Sequence, residues 1–417
     1  MRRRTVAALW AGLAAAWASA AAVHAEAPPE PSVILISLDG VRHDYPDRWP
    51  LPALTRLEDE GLRAGRLEPV APASTFPTHV SLATGAPPAV HGILDNRFFD
   101  PERGEFDYSN DASWIQAEPL WVAAERQGVP AATFFWVGSD SDWRGRGARH
   151  RRAPFDSRVG EAEKVEQILD WLDLPEGERP RLVMSWWHGT DRAGHRLGPE
   201  HAGVGEALAE QDRHLGALLA GLDARNAWPH TTLLVVSDHG MTGAARAVPL
   251  RARLREAGLR PRVVVGSAVA HLFFEDPDEI AIADRALSDL PGSRLDRRED
   301  LGGSGLAHPT RSGDLVARAL PGFSFRPRRF RDTVARLFGR GRGVHGYAVP
   351  HRDMAGIFFA SGRCVPAGTR PEAVDSLDIA ATAAALLGID SPSQSRGRPL
   401  EPLEPSPCTS SSISTAR

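Results

Sequence analysis

The run Val33-Ile34-Leu35-Ile36-Ser37-Leu38 closes on Asp39-Gly40, and Thr232-Leu233-Leu234-Val235-Val236 closes on Ser237-Asp238-His239-Gly240. A continuous apolar run ended by a polar residue and a glycine is how a strand buried on both faces of a parallel sheet delivers a side chain to its carboxyl edge. One such run constrains little, because an acid before a glycine also caps an ordinary turn. Two runs with the same grammar call for a sheet covered on both sides, and they point Asp39, Asp238 and His239 at one shared site.

Apolar periodicity predicts helices over 51–63, 77–83, 118–127, 160–172, 205–222 and 376–387, and further strands over 131–136, 181–187 and 355–360. This alternation predicts an α/β fold, a sandwich with a mostly parallel central sheet flanked by helices. Thr75 enters the second helix at its N-terminus, where free N–H groups and the helix dipole favour an anion. The rhythm changes over 251–343, which reads as an inserted smaller subdomain with a strand over 268–274. Within it the arginines Arg326, Arg328, Arg329, Arg331, Arg336 and Arg342 read as a solvated face. Residues 26–32 read as a Pro-rich linker, 33–395 as the main domain and 396–417 as a flexible tail.

The first 25 residues follow a separate logic. Arg2, Arg3 and Arg4 precede an Ala-rich apolar run and then Val23-His24-Ala25, the pattern of a secretory signal peptide; an uncleaved N-terminal anchor is the alternative. Cleavage would remove three arginines and no acid, taking the formal charge from −4 to −7. A mildly acidic protein has no general attraction for duplex nucleic acid or anionic membrane, and no later stretch is long enough to span one. The two cysteines, Cys364 and Cys408, are too few for a Cys-rich zinc module and permit one disulfide in an exported protein.

Six acids and histidines fall at strand ends or glycine-flanked turns: Asp39, Asp191, His195, Asp238, His239 and His345. Asp191 and His195 stand at i, i+4 and would share one face of a helical turn. Three carboxylates converging without a cation would repel, whereas two divalent ions would leave a surplus of positive charge suited to a phosphate ester. Thr75 adds a hydroxyl able to act as nucleophile, although alone it reads equally as an N-cap.

The patches Leu38-Asp39-Gly40, Ser74-Thr75-Phe76-Pro77-Thr78-His79, Asp191-Arg192-Ala193-Gly194-His195, Ser237-Asp238-His239-Gly240-Met241 and Val344-His345-Gly346-Tyr347, in this order, resemble the nucleotide pyrophosphatase/phosphodiesterase family of the alkaline phosphatase superfamily. The connecting segments Val90-His91-Gly92-Ile93-Leu94-Asp95-Asn96 and Arg311-Ser312-Gly313-Asp314 agree with it. The resemblance implies an alkaline-phosphatase-like catalytic domain. It implies one Zn2+ held by Asp39, Asp238 and His239 and a second held by Asp191, His195 and His345. It also implies Thr75 as the metal-bound nucleophile that forms a phosphothreonine, Asn96 as donor to a non-bridging oxygen, and Phe76 with Trp186 as aromatic contacts to a nucleotide.

The expected protein is therefore a periplasmic or secreted two-zinc phosphodiesterase acting on small phosphodiester or nucleotide substrates. A phosphomonoesterase or phosphonate hydrolase is the alternative, and a catalytically silent binding module is the reading from another class. A sulfatase is disfavoured, because no Cys or Ser stands at position 75. Thr78, His188-Gly189-Thr190 and Ala348 depart from the residues usual in the family and leave the substrate open.

Overall fold

The computed structural model describes residues 30–243, 246–303, 305–326, 342–347 and 351–403. The first half supplies β1 (Ser32–Leu38), α1 (Pro52–Glu60), β2 (Leu62–Arg63), α2 (Thr75–Thr84), α3 (Leu120–Arg126), β3 (Ala131–Phe134) and β4 (His150–Arg152). Then come α4 (Glu161–Leu172), β5 (Leu182–Trp187), α5 (Gly189–Leu197), α6 (Ala202–Ala224) and β6 (Thr231–Val236). The later elements are α7 (Leu250–Glu256), β7 (Arg262–Val265), β8 (Val269–Phe273), α8 (Pro277–Leu287), β9 (Ser293–Arg297), β10 (Leu315–Ala319), β11 (Phe358–Gly362) and α9 (Asp378–Leu387).

The main sheet has seven strands in the order β2-β11-β6-β1-β5-β3-β4. β1 sits between β5 and β6 and pairs with both in parallel, Ser37 lying opposite Trp186 on one side and Val236 on the other. β3 and β4 continue the parallel run, and β11 closes the other side antiparallel to β6 and β2. The apolar runs are buried along their whole length, as strands covered on both faces must be. α6 packs on α1 and α4, while α9 packs on α2, α3 and β1, so helices flank the sheet. The carboxyl ends of β1, β5 and β6 thereby share one edge, and Asp39, the 188–191 turn and Asp238 follow directly from it.

Several boundaries differ from the sequence expectation, each for a local reason. The helix expected over 51–63 ends at Glu60, because Gly61 runs so close to β11 that a Cβ there would lie 2.1 Å from the Ala360 carbonyl oxygen; Leu62–Arg63 then pairs with β11 as a strand. The strand expected over 131–136 ends at Phe134, since Phe135 turns to φ +58°. The strand over 355–360 is displaced to Phe358–Gly362, and the helix over 205–222 is longer at both ends.

Within 251–343, β7, β8, β10 and β9 form an antiparallel four-stranded sheet in that order. Leu254, Ala270, Leu272, Ala283, Leu287, Leu315 and Ala317 build a core of its own against α7 and α8. Arg311, 3% exposed, ties this sheet to the loop before Asn96: its guanidinium donates to Asp100 Oδ2 at 2.8 Å and to the Gly92 carbonyl at 2.7 Å. Arg328, Arg329, Arg331 and Arg336 lie outside the described residues, as do the leader over 1–25 and Cys408. Cys364 is disulfide-bonded. The expected flexible tail begins too early at 396: the Arg398 N–H donates to Asp378 Oδ1, the Leu400 N–H to Thr382 Oγ1, and Leu403 is buried. No helix among the described residues is long and apolar enough to cross a membrane.

Helix α1 lacks a side-chain cap of its own, its N-cap being Leu51. Asp212, buried on α6, supplies one from a distance by accepting the Leu54 N–H at 2.9 Å and the Ala53 N–H at 3.0 Å. Asp212→Ala is expected to lower stability by about 1–2 kcal/mol, read from the urea midpoint at unchanged m-value.

Candidate active site

Two sharp turns bring the strand-end acids together. Gly40 adopts φ +71°, and a Cβ there would lie 2.8 Å from the Asp191 Cα, so only glycine lets α5 approach β1. The Asp191 N–H then donates to the Asp39 carbonyl at 3.0 Å, and the Gly40 N–H donates to Asp238 Oδ1 at 3.1 Å. Asp39, Asp191 and Asp238 are thus locked to one another through the main chain.

Their side-chain oxygens are left over. Asp39 Oδ1, Asp191 Oδ1 and Asp238 Oδ2 are buried without a hydrogen-bond partner. Burial, followed by the nearby Asp238 and Asp191, pushes the Asp39 carboxyl well above its usual range. The histidines complement them. His239 Nδ1 faces the Gly240 carbonyl at 2.9 Å, His195 Nδ1 the Gly343 carbonyl at 2.9 Å and His345 Nδ1 the Ala73 carbonyl at 3.1 Å. A carbonyl can only accept, so each ring donates through Nδ1, and in its neutral form presents a bare Nε2.

Those bare nitrogens converge on the unpartnered oxygens. His195 Nε2 and His345 Nε2 lie 3.1 Å apart, with Asp191 Oδ1 at 3.4 Å from the first and 3.9 Å from the second. His239 Nε2 lies 3.2 Å from Asp238 Oδ2 and 3.6 Å from Asp39 Oδ1. Lone pair facing lone pair is repulsive unless a cation sits between them, and this donor set of carboxylate and imidazole suits a divalent metal. Asp191, His195 and His345 form one candidate metal group, as expected from the sequence. The second is Asp39, Asp191 and His239, with all ligand atoms within 4.8 Å of one another. Asp191 therefore belongs to both groups, and Asp238 borders the second.

Thr75 is the first residue of α2, 7% exposed, with Oγ1 3.3 Å from His239 Nε2. Asn96 Oδ1 accepts the Phe76 N–H at 2.8 Å, which turns its amide Nδ2 outward as a donor. His79, to which no sequence pattern gives a role of its own, lies one helical turn beyond Thr75. Its Nδ1 faces the Thr75 carbonyl at 2.8 Å and Asp238 Oδ2 at 3.4 Å, a placement that the i, i+4 spacing already contained.

The two aromatics expected to hold a nucleotide do not form a pair. Trp186 is committed within the site: its indole N–H donates to Asp39 Oδ2 at 2.9 Å, and its face stacks on Phe155 at 4.8 Å. Phe76 is buried, its ring meeting Phe106 and Tyr108 edge-on. The open aromatic is Tyr108, 43% exposed, which no sequence pattern marks and which a φ of +49° places beside Phe76.

An α/β sandwich with acids, imidazoles and a helix-terminal hydroxyl gathered at the carboxyl edge of its sheet defines a member of the alkaline phosphatase superfamily. Within it, the chain belongs to the type I phosphodiesterase / nucleotide pyrophosphatase family, whose model matches residues 33–348. It is 36% identical over 218 residues to human ectonucleotide pyrophosphatase/phosphodiesterase family member 1, a match covering 51% of this chain and 24% of that protein. A pyrophosphatase/phosphodiesterase of Schizosaccharomyces pombe is 37% identical over 218 residues, covering 50% of this chain and 44% of the relative. The chain thus aligns with less than half the length of either. Among solved structures, murine ectonucleotide pyrophosphatase/phosphodiesterase 5 superposes with a TM-score of 0.79 at 25% identity, covering 86% of this chain and 96% of that one. An inactive variant of that murine protein in complex with AMP matches equally, at a TM-score of 0.79.

Ions that relieve the opposed charges stabilise the folded state by mass action, about 2.7 kcal/mol per site at a hundredfold excess over Kd. Stripping metal with a chelator is therefore expected to lower the melting temperature, and added Zn2+ to restore it. An identical melting curve with and without metal would contradict the reading of both groups.

Proposed function

We propose that the protein is a metal-dependent phosphodiesterase and nucleotide pyrophosphatase, exported by its leader, that cleaves small diesters or pyrophosphates through a phosphothreonine. The observation that carries this is the Thr75 hydroxyl, held at a helix N-terminus 3.3 Å from a bare imidazole nitrogen amid unpartnered carboxylates. Asp39, Asp238 and His239 would hold one Zn2+ beside Thr75, and Asp191, His195 and His345 the other. Bound there, the two ions would supply charge to stabilise the entering and leaving oxygens and lower the pKa of a hydroxyl or water.

The residues of the chain account for the rest. Thr75 Oγ1 attacks phosphorus as the bond to the leaving alkoxide or phosphate breaks; the leaving oxygen takes up a proton in exchange for the one Thr75 gives up, and the phosphoryl group, with its retained ester substituent, is left bonded to Thr75. Water then attacks phosphorus from the opposite side, the phosphorus–Oγ1 bond breaks, and the threonine regains its proton. The α2 N-terminus favours the anion, and Asn96 Nδ2 donates to a non-bridging oxygen. The AMP complex of the murine relative supports a nucleotide substrate, and Phe76 with Tyr108 offers an aromatic wall for its base.

Thr75→Ala is expected to abolish turnover of bis-p-nitrophenyl phosphate while metal content by elemental analysis stays near two ions per chain. Asn96→Ala should reduce kcat about 100-fold with the fold intact. Full activity in the threonine variant would refute the nucleophile, and a preference for p-nitrophenyl phosphate over the diester would favour the monoesterase alternative.

A further inference from the structure

Lys164 is the only lysine of the sequence, and it is wholly buried. It lies on α4, and its Nζ donates to the main-chain carbonyl of Trp186 at 2.9 Å. A buried ammonium is costly unless it performs a task that a neutral side chain could not, and burial pushes this amine down to about 8. The groups around it are Glu161 on its own helix, His188 at the end of β5 and the Phe135 ring 6.0 Å away.

The task follows from where the sheet runs out. The Trp187 carbonyl accepts the Asp39 N–H on the β1 side, so strand alternation turns the Trp186 carbonyl toward β3. β3 ends at Phe134, opposite Ser185, and Phe135 turns away to donate its N–H to the Arg152 carbonyl. No strand among the described residues remains to satisfy the Trp186 carbonyl. Lys164 takes the place of the missing strand, on the one residue whose indole N–H holds Asp39 Oδ2 at 2.9 Å and leaves Asp39 Oδ1 free.

We propose that Lys164 is a positioning residue of the metal centre: by docking the Trp186 main chain at the sheet's end, it fixes the indole on Asp39 and so the oxygen that Asp39 offers to a divalent cation. This rests on the reading of Asp39 as a metal ligand. Groups that orient metal ligands at one remove affect affinity about 10- to 100-fold, which sets the expected size of the effect.

The test is zinc affinity by chelator competition for metal-stripped wild type, Lys164→Met, Trp186→Phe and the double variant, with folding checked by circular dichroism. Lys164→Met is expected to weaken one of the two sites by about 10- to 100-fold, and the double variant to bind no worse than Trp186→Phe alone, because both act along one path. Unchanged affinity in Lys164→Met, or losses that multiply in the double variant, would overturn the proposal. Should Lys164→Met fail to fold, a single lysine allows a readout in otherwise native protein. Labelled with 15Nζ-lysine, the enzyme gives one side-chain resonance, expected to shift on zinc loading in wild type and to stay put in Trp186→Phe. A resonance indifferent to zinc in wild type overturns the proposal. A wild type that binds no zinc at all removes the metal reading beneath it, and the proposal with it.

Discussion

Three buried carboxylate oxygens without a donor, facing imidazole nitrogens that carry no proton, set an electrostatic condition that the rest of the molecule serves. Among the described residues nothing neutralises it locally, since the nearest fixed donors, the Gly40 N–H and the Trp186 indole, go to Asp238 Oδ1 and Asp39 Oδ2 and leave the companion oxygens bare. Such an arrangement is unfavourable by itself and stable only when a cation, or a large surrounding scaffold, holds it together. The parallel sheet is that scaffold. β1, β5 and β6 are buried and paired over their full length, so their ends cannot drift apart to relax the repulsion.

The same economy shows in how the parts outside the sheet are attached. His195, His239 and His345 are each oriented by a main-chain carbonyl, and two of these, Gly343 and Ala73, come from segments distant in sequence from the ring they hold. The four-stranded sheet within 251–343 is joined through Arg311 to Gly92 and Asp100, which flank the loop carrying Asp95 and Asn96. Asp95 in turn accepts the Asn96 N–H, and burial pushes its carboxyl up to about 6. Removing the cross-link at Arg311 would therefore loosen the loop carrying Asn96 without touching Asp39, Asp191, Asp238 or the three histidines.

What the sequence disclosed follows the distinction between period and environment. β1 and β6 were legible because full burial writes itself as an unbroken apolar run, and Asp39, Asp238 and His239 were legible because those runs end on them. Asp191 and His195 were legible from their spacing. Where the sequence misled, long-range approach decided: Gly61 ends a helix because β11 passes beside it, and the 396–403 segment is fastened by Asp378 and Thr382, whose side chains no local pattern connects to it. Trp186 was noticed for its ring, but the ring is covered by Phe155, and its use lies in the indole N–H. No local pattern marks Lys164, and a single lysine among arginines reads as compositional drift; only the end of β3 gives it meaning.

Catalytic and recognition elements differ correspondingly in how they are built. The candidate metal ligands are fixed largely by main-chain contacts, which depend little on the identity of their neighbours. The rings of Phe76 and Tyr108, by contrast, meet only edge to face at 5.4 Å, and Tyr108 is exposed with an arginine, Arg97, over its ring. Replacing one exposed ring would therefore alter that wall of the cleft, while the opposed charges beside Thr75 stay where the sheet puts them. Separation of this sort explains why the departures at Thr78 and His188 leave the set of converging acids and histidines whole. Thr78 is buried within α2, and His188 stacks edge-on against Phe155, one residue ahead of the helix that presents Asp191.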